Sequence, residues 1–392
     1  MDGDHNPPPG EVSPTNYRML SSKNINNNKL VDIEDCRYLS KQDWELCNSR
    51  TRLHKGDILL TTVATLGRSC VIETDEPICF QRSVTILTTL IYNKYLKLVF
   101  DSNYYQELMT DSAKGTAQKG FYINQVVQSV IPLPPLVEQK RIVTAIEKWM
   151  SIIDSMETNR MNILESIKLA KNSILDFAIH GKLVSQDPND EPASELLKRI
   201  NPKAVSSCDN PHYENVPFEI PSNWLWVKLG DVTNYGKCST CSVDDINDES
   251  WILELEDIEK DTGRVLVQHT KAEREIKGVR HSFSVGNVLY SKLRTYLNKV
   301  LLAKDDGFCT TEIIPIECNE SICPEYICQV LRSRYFLDYT AQCGYGVKMP
   351  RLSTTDARKA LIPLPPFEEQ IRITAKLNDL MSALDSIAET LV

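Results

Sequence analysis

The chain has 392 residues, 42 % of them hydrophobic and 25 % charged, with a formal net charge of −9 at pH 7. This length predicts two or three domains with ordinary buried cores. No run of 18 uncharged apolar residues exists and Met1 to Gly10 is polar and proline-rich, which argues against a membrane span or secretory leader and points to the cytoplasm. The twelve cysteines are scattered, so reduced core thiols are expected rather than a disulfide framework.

Along the chain, Gly56-Asp-Ile-Leu-Leu60 reads as a turn glycine leading into a β-prone apolar run. Tyr95-Leu-Lys-Leu-Val99, followed by Ser102 and Tyr104, precedes a glycine-bearing loop, Asp111 to Gly120. Next comes a proline box, Ile131-Pro-Leu-Pro-Pro-Leu-Val-Glu-Gln-Lys-Arg-Ile142. Proline cannot continue a strand ladder or a helix interior, so the box is expected to be a stiff extended lead that ends a domain and aims a helix. A polyproline ligand for an SH3-like partner is the other reading.

The helix that follows is expected over Glu138 to His180, roughly 65 Å long. Ile142, Ile146, Trp149, Ile153, Met156, Arg160, Ile163, Ile167, Ala170, Ile174 and Phe177 alternate by four and three, an a/d seam that calls for a partner helix. His180-Gly181 is its stop signal. Leu183 to Pro221 then reads as a linker carrying a short helix capped by Ser194. Trp224-Leu-Trp-Val-Lys-Leu-Gly230 reads as an alternating strand whose aromatics belong to a core.

The chain then repeats itself. Gly286 to Tyr290 answers Gly56 to Leu60, Tyr326 to Val330 with Ser333 and Tyr335 answers Tyr95 to Val99 with Ser102 and Tyr104, and Gly346 falls on Gly115. The box returns 231 residues later as Ile362-Pro-Leu-Pro-Pro-Phe-Glu-Glu-Gln-Ile-Arg-Ile373, and the match runs to Asp154-Ser155 and Asp385-Ser386. About half of the 25 aligned positions are identical, beyond what shared helix composition gives. The second helix, Glu368 to Val392, carries Ile373, Leu377, Leu380, Leu384 and Ile387 at the same spacing. Antiparallel pairing of the two helices would hold two similar globular heads apart about a pseudo-twofold.

The doubled box, the Gly181-Lys-Leu-Val-Ser-Gln-Asp-Pro-Asn-Asp-Glu-Pro-Ala-Ser-Glu-Leu-Leu197 linker and the Ile220-Pro-Ser-Asn-Trp-Leu-Trp-Val-Lys-Leu-Gly-Asp231 opening together resemble the DNA specificity subunit of type I restriction-modification enzymes. The resemblance implies an α+β fold: two similar mixed target-recognition domains joined by two long antiparallel helices. Expected boundaries are 1–135 for the first domain, 136–182 for the first coiled-coil helix, 183–216 for the linker, 217–366 for the second domain and 367–392 for the second helix. It implies a non-catalytic subunit without cofactors that reads a bipartite double-stranded DNA site. It also implies two methyltransferase (modification) subunits and restriction/translocase subunits as partners, in a restriction endonuclease and adenine methyltransferase complex with no membrane partner.

The first unit lacks a counterpart of Pro221 to Lys237, and the second helix ends at about half the length of the first. That asymmetry is what a truncated or recombined allele would show, and the alternative function is a scaffold defective in DNA recognition.

The acidic total is wrong for a protein that neutralises phosphates alone and fits a subunit that borrows DNA affinity from partners. From Arg264 to Lys304, nine Lys/Arg face only Glu273 and Glu275, net +7, the footprint expected of a DNA face. Two loops per unit are candidate contacts. In Asp111 to Gly120 and Gln342 to Arg351, the candidates are Lys114, Gly115, Thr116, Gln118 and Lys119, then Tyr345, Gly346, Lys348 and Arg351. Gln118 suits adenine, and the cations suit guanine or phosphate. In Thr61 to Ser69 and Ser291 to Lys299 they are Arg68, Lys292, Arg294 and Lys299. Ile146, Trp149, Ile153, Ile163, Ile167, Ile174, Leu377, Leu380 and Leu384 are the expected helix and subunit interface.

No phosphate loop, helicase pair or methyltransferase motif is present, and Glu34, Asp35, Asp57 and Glu73 form no ordered nuclease set. Cys238 and Cys241 with Cys318, Cys323 and Cys328 could be imagined as a zinc site. A second CxxC is lacking, so structural thiols are expected and no metal.

Overall fold

The computed structural model describes residues 1–63, 65–113, 120–204, 216–346 and 348–391. They form two compact units, Met1–Glu157 and Thr158–Val392. Among the described residues no helix is long and apolar enough to cross a membrane.

In the first unit, strands β1 (Tyr17–Leu20), β2 (Arg37–Leu39), β3 (Ile58–Thr61), β4 (Ser69–Val71), β5 (Ile78–Phe80) and β6 (Val84–Leu87) make two three-stranded sheets. One has the order β2-β1-β5, with β1 and β5 parallel, and the other the antiparallel order β4-β3-β6. Ile58, Leu59 and Leu60 are fully buried, as the apolar run after Gly56 requires. Helix α1 (Lys41–Thr51) lies between β2 and β3, and helices α2 (Asn93–Asp101), α3 (Asn103–Ser112), α4 (Ile123–Gln128) and α5 (Leu136–Ile179) follow the strands. Tyr95, Val99, Phe100, Tyr105, Phe121 and Val143 close one core over Ile58 and Leu60.

The second unit repeats this plan around a larger core. After α6 (Ala193–Ile200) come β7 (Leu225–Lys228), the turn of helix α7 (Leu229–Val232), β8 (Thr240–Ser242), β9 (Trp251–Leu253) and β10 (His269–Thr270). Strands β11 (Val279–Phe283), β12 (Val288–Ser291), β13 (Val300–Leu302), β14 (Gly307–Thr310) and β15 (Ile313–Ile316) complete its middle. Sheet β13-β12-β15 matches β4-β3-β6, and the parallel pair of β9 and β14 matches that of β1 and β5 within a five-stranded sheet, β8-β11-β14-β9-β10. Helices α8 (Pro324–Arg332), α9 (Arg334–Cys343) and α10 (Thr354–Lys359), strand β16 (Leu361–Leu364) and helix α11 (Phe367–Glu389) end the unit.

The proline box anchors by its carbonyls in both units. Tyr95 donates its hydroxyl to the Pro132 carbonyl at 3.0 Å, and Tyr326 to Pro363 at 2.9 Å. Gln139, 4 % exposed, accepts from the Tyr92 N–H and donates to the Pro134 carbonyl, while fully buried Gln370 does the same for Cys323 and Pro365. Prolines enlarge the supply of carbonyls that need partners, because they bring acceptors without matching donors.

The second box corrects the expectation of a lead outside any ladder: Leu361–Leu364 is a strand, paired antiparallel with β7, Pro363 opposite Trp226. The pair is a two-stranded sheet, so each strand keeps one unpaired edge, which accommodates the missing proline N–H. The short helix of the linker also starts differently: its N-cap is Pro192, and Ser194 lies inside the first turn without a capping bond.

Within the second unit, α5 and α11 run antiparallel. Arg160 donates to the Leu391 carbonyl at 3.1 Å, and eleven residues on Lys171 pairs with Asp385. The packed stripe is Leu164, Ile167, Lys171, Ile174, Leu175 and Ala178 rather than the even heptad seam, and Leu377 is fully buried while Leu380 and Leu384 are half-buried. Ile163 and Phe177 are exposed at 43 % and 51 %, so they leave the expected seam, because a straight helix drifts from a seven-residue repeat. In the first unit Ile146 is half-buried, and Trp149 and Ile153 are exposed at 65 % and 53 % instead of packed. The helix ends at Gly181, φ +68°, where the Lys182 N–H reaches the Phe177 carbonyl at 2.9 Å. A Cβ there would lie 2.3 Å from Pro221, so the stop also requires glycine for packing.

Candidate nucleic-acid interface

The two loops proposed separately in the second unit form one surface. Strand β12 ends at Ser291, and Lys292 then donates its backbone N–H to the Glu312 carbonyl and accepts from the Leu352 N–H, both at 3.0 Å. Leu293 bridges Arg351, and the Arg294 N–H donates to the Pro350 carbonyl at 2.7 Å. Tyr345 and Arg351 exchange backbone bonds at 3.0 and 2.9 Å, closing a hairpin in which Gly346 takes φ +97°. At its tip Tyr345 is 57 % exposed and Lys348 is exposed.

The first unit builds the same junction. The Phe121 N–H donates to the Thr62 carbonyl at 2.8 Å and Gly120 bridges Val63, the counterparts of Leu352 to Lys292 and of Arg351 to Leu293. Lys114, Gly115, Thr116, Gln118 and Lys119 lie outside the described residues. Arg68 is exposed, its guanidinium donating to the Ile25 carbonyl at 3.3 Å.

Backbone geometry tightens the second loop. Arg294 and Asn298 adopt φ of +51° and +49° on either side of a single 3-10 turn, Thr295–Leu297. Left-handed non-glycine residues persist only where surroundings over-determine them and concentrate at functional positions. The turn displays Tyr296, 59 % exposed, and the Arg294 Nε is buried without a hydrogen-bond partner among the described residues. Sequence reasoning missed Tyr296 and Met349, 47 % exposed. A large side chain at a loop tip was the available signal.

Lys299 is committed elsewhere and Arg351 is committed in part. Lys299 Nζ donates to the Leu255 carbonyl at 2.6 Å, and burial lowers its pKa, so it is a structural cation and not a free contact. Arg351 makes a two-pronged pair with Glu312, which raises its pKa. The net +7 stretch is likewise no uniform positive face. Arg264 pairs with Glu259, Lys271 with Asp248, Arg274 with Asp257 and Glu256, Lys277 with Glu275, and Arg280 with Glu254. The preceding acidic segment folds against those cations, which counting along the chain cannot register. Lys292, Arg294 and Lys348 have no acidic partner among the described residues.

The other titratable clusters are structural. Glu34 and Glu76 pair with Arg18, Asp35 pairs with Lys23, and Asp57 accepts from the His54 N–H. Burial pushes the Cys318 thiol up to about 12 and the Cys328 thiol up to about 11, which keeps both protonated. The eleven cysteines among the described residues are free, and no group of three or more His, Cys, Asp or Glu among those residues is placed to hold a metal ion.

Two similar heads, each with a later segment bonded to the chain that leaves its small antiparallel sheet, make a duplicated fold. A family model described as the type I restriction modification DNA specificity domain matches residues 13–166. The type I restriction enzyme EcoDI specificity subunit of Escherichia coli is 24 % identical over 310 residues, 79 % of this chain and 67 % of that one. The EcoAI specificity subunit of E. coli is also 24 % identical, over 76 % of this chain and 61 % of its own. The chain thus spans about two thirds of the length of the curated relatives it matches. A solved chain described under complex assembly and conformational transition of the type I R-M system shares the fold, with TM-score 0.64, 17 % identity and coverage of 100 % of this chain and 90 % of its own. The HsdS subunit from Thermoanaerobacter tengcongensis does so with TM-score 0.57, 16 % identity and coverage of 100 % and 89 %. Residues 13–166 thus match the type I restriction modification DNA specificity domain, and most of the chain is similar in sequence to specificity subunits of type I restriction enzymes.

Proposed function

We propose that this protein is the non-catalytic, sequence-specific DNA-reading subunit of a type I restriction-modification complex, one head for each half of a bipartite site. The observation that carries this is the duplicated junction: Phe121 to Thr62 in one unit and Leu352 to Lys292 in the other fasten the same two loops side by side. A single backbone frame with different tip residues suits two different half-sites, since base contacts specify while the frame only positions.

The partners are two methyltransferase subunits, seated on the helices, and the restriction/translocase subunits, all in the cytoplasm. Much of the DNA affinity comes from those partners, because the chain's net charge is −9 and much of its local positive charge is internally paired. The test is methylation profiling of cells that express the chain with its modification subunits. A two-part modified motif is the expected result, and a continuous motif or none would overturn the reading.

A further inference from the structure

In the second head an exposed aromatic ring sits on a backbone that is held from several sides. The Leu297 N–H donates to the Arg294 carbonyl at 2.9 Å and the Asn298 N–H to the Thr295 carbonyl at 3.0 Å, which closes the 3-10 turn around Tyr296. The Leu297 carbonyl accepts from the Asp261 N–H at 3.0 Å, and Asn298 Nδ2 donates at 3.1 Å to the carbonyl of Arg332, the last residue of α8. Thr295 and Asn298 are buried beneath the turn. Tyr296 nevertheless stays exposed, as does Met349, whose neighbour Pro350 takes the Arg294 N–H. Lys292, Arg294 and Lys348, without an acidic partner among the described residues, belong to the same surface. The first head differs here. With Gly56 aligned on Gly286, Leu66 stands where Tyr296 does, and Leu66 is half-buried against the core of Tyr95, Phe100 and Phe121.

Building on the DNA-reading function given above, we propose that Tyr296 is a wedge: its ring enters the base stack of the half-site held by the second head and opens one base step. The surrounding cations suit phosphates and base edges, whereas an apolar ring among them finds a matching surface only between unstacked bases. The turn is already fixed, so insertion orders little beyond the ring itself. Opening a step costs least at the flexible pyrimidine–purine steps, so the second head selects its half-site partly by deformability, at a step that no hydrogen bond has to read. The first head, with Leu66 packed on its core, leaves the stack of its own half-site closed at the corresponding place.

The test uses the chain assembled with its modification subunits and synthetic duplexes that carry the two-part motif from methylation profiling. Each duplex holds a single 2-aminopurine, moved from position to position, whose fluorescence rises when the base unstacks. The bases that the complex methylates are left unlabelled, so that their own extrusion gives no signal. A rise at one step of one half-site is expected, lost in Tyr296→Ala and kept in Tyr296→Phe, because the ring and not the hydroxyl is inserted. Tyr296→Ala should also weaken binding about tenfold while leaving the slope of log affinity against log salt unchanged, since no charge is removed. The side chain is exposed, so both variants should keep the urea midpoint of the parent chain. Selective binding by the parent complex with no position brightening, or brightening that survives Tyr296→Ala, overturns the wedge and leaves DNA reading in place. A parent complex that does not select the duplex at all overturns both.

Discussion

Arg351 lies against Glu312 with its Nε and Nη2 3.3 and 3.0 Å from the same carboxylate oxygen, while its backbone N–H and C=O are bonded to Tyr345. The guanidinium is therefore held at the base of the hairpin with its Nε and Nη2 edge taken by Glu312, and any contact with guanine or phosphate falls to Nη1. Replacing it with alanine should lower sequence-selective affinity of the assembled complex about tenfold or more, confined to one half of the site. Competition binding with duplexes mutated in one half at a time checks this, and a loss spread evenly over both halves would contradict it.

Lys348 is exposed on the same hairpin without an acidic partner among the described residues, as a backbone contact would be. Lys348→Ala should weaken binding to specific and random duplexes alike. The slope of log affinity against log salt should fall by about one. An unchanged slope would remove Lys348 from the phosphate-contacting set.

The buried glutamines make a structural prediction that separates the two units. Gln370→Leu strands the Cys323 N–H and the Pro365 C=O, and should destabilise the second unit by roughly 2–6 kcal/mol, with each unsatisfied buried group costing about 1–3. Gln139→Leu should do the same to the first unit through Tyr92 and Pro134. Urea unfolding followed by fluorescence, with the two variants compared, should show a different transition moving in each.

Glu369 gives a pH dependence of definite sign. Burial raises its pKa above the ordinary 4.5, against the opposing hydrogen bonds from Trp224 and Gln186. The folded state therefore binds the proton more tightly than the unfolded one. This contribution to stability is full below the unfolded pKa and is lost as pH rises through the raised value. Glu369→Gln should flatten the part of the urea-midpoint profile that falls as pH rises above the ordinary carboxylate range, and an unaltered profile would rule out this titration as its cause.

The repeat, the proline boxes and the long helix were legible because they are local: spacing, proline and heptad-like periodicity act within a few turns of chain. The register of the seam was less legible, since which face of α5 is buried depends on where α11 lies, and Ile163 and Phe177 turn outward as a result. Charge was misread for the same reason. Arg274, Arg280 and Lys299 look free in a linear count, yet Asp257, Glu254 and the Leu255 carbonyl reach them through the fold.

By itself, the order of residues determined that the protein has two like halves, that each half ends in a proline box feeding a helix, and which loops carry glycine beside cations. Those are properties of neighbours along the chain, set by backbone sterics and periodicity. Only the tertiary structure decided that the two loops of the second half become one surface, which cations are already paired, and that the second box is covered by a strand while the first has no strand partner among the described residues. Each of those depends on hydrogen bonds and ion pairs between segments far apart in the chain, whose partners no local pattern names.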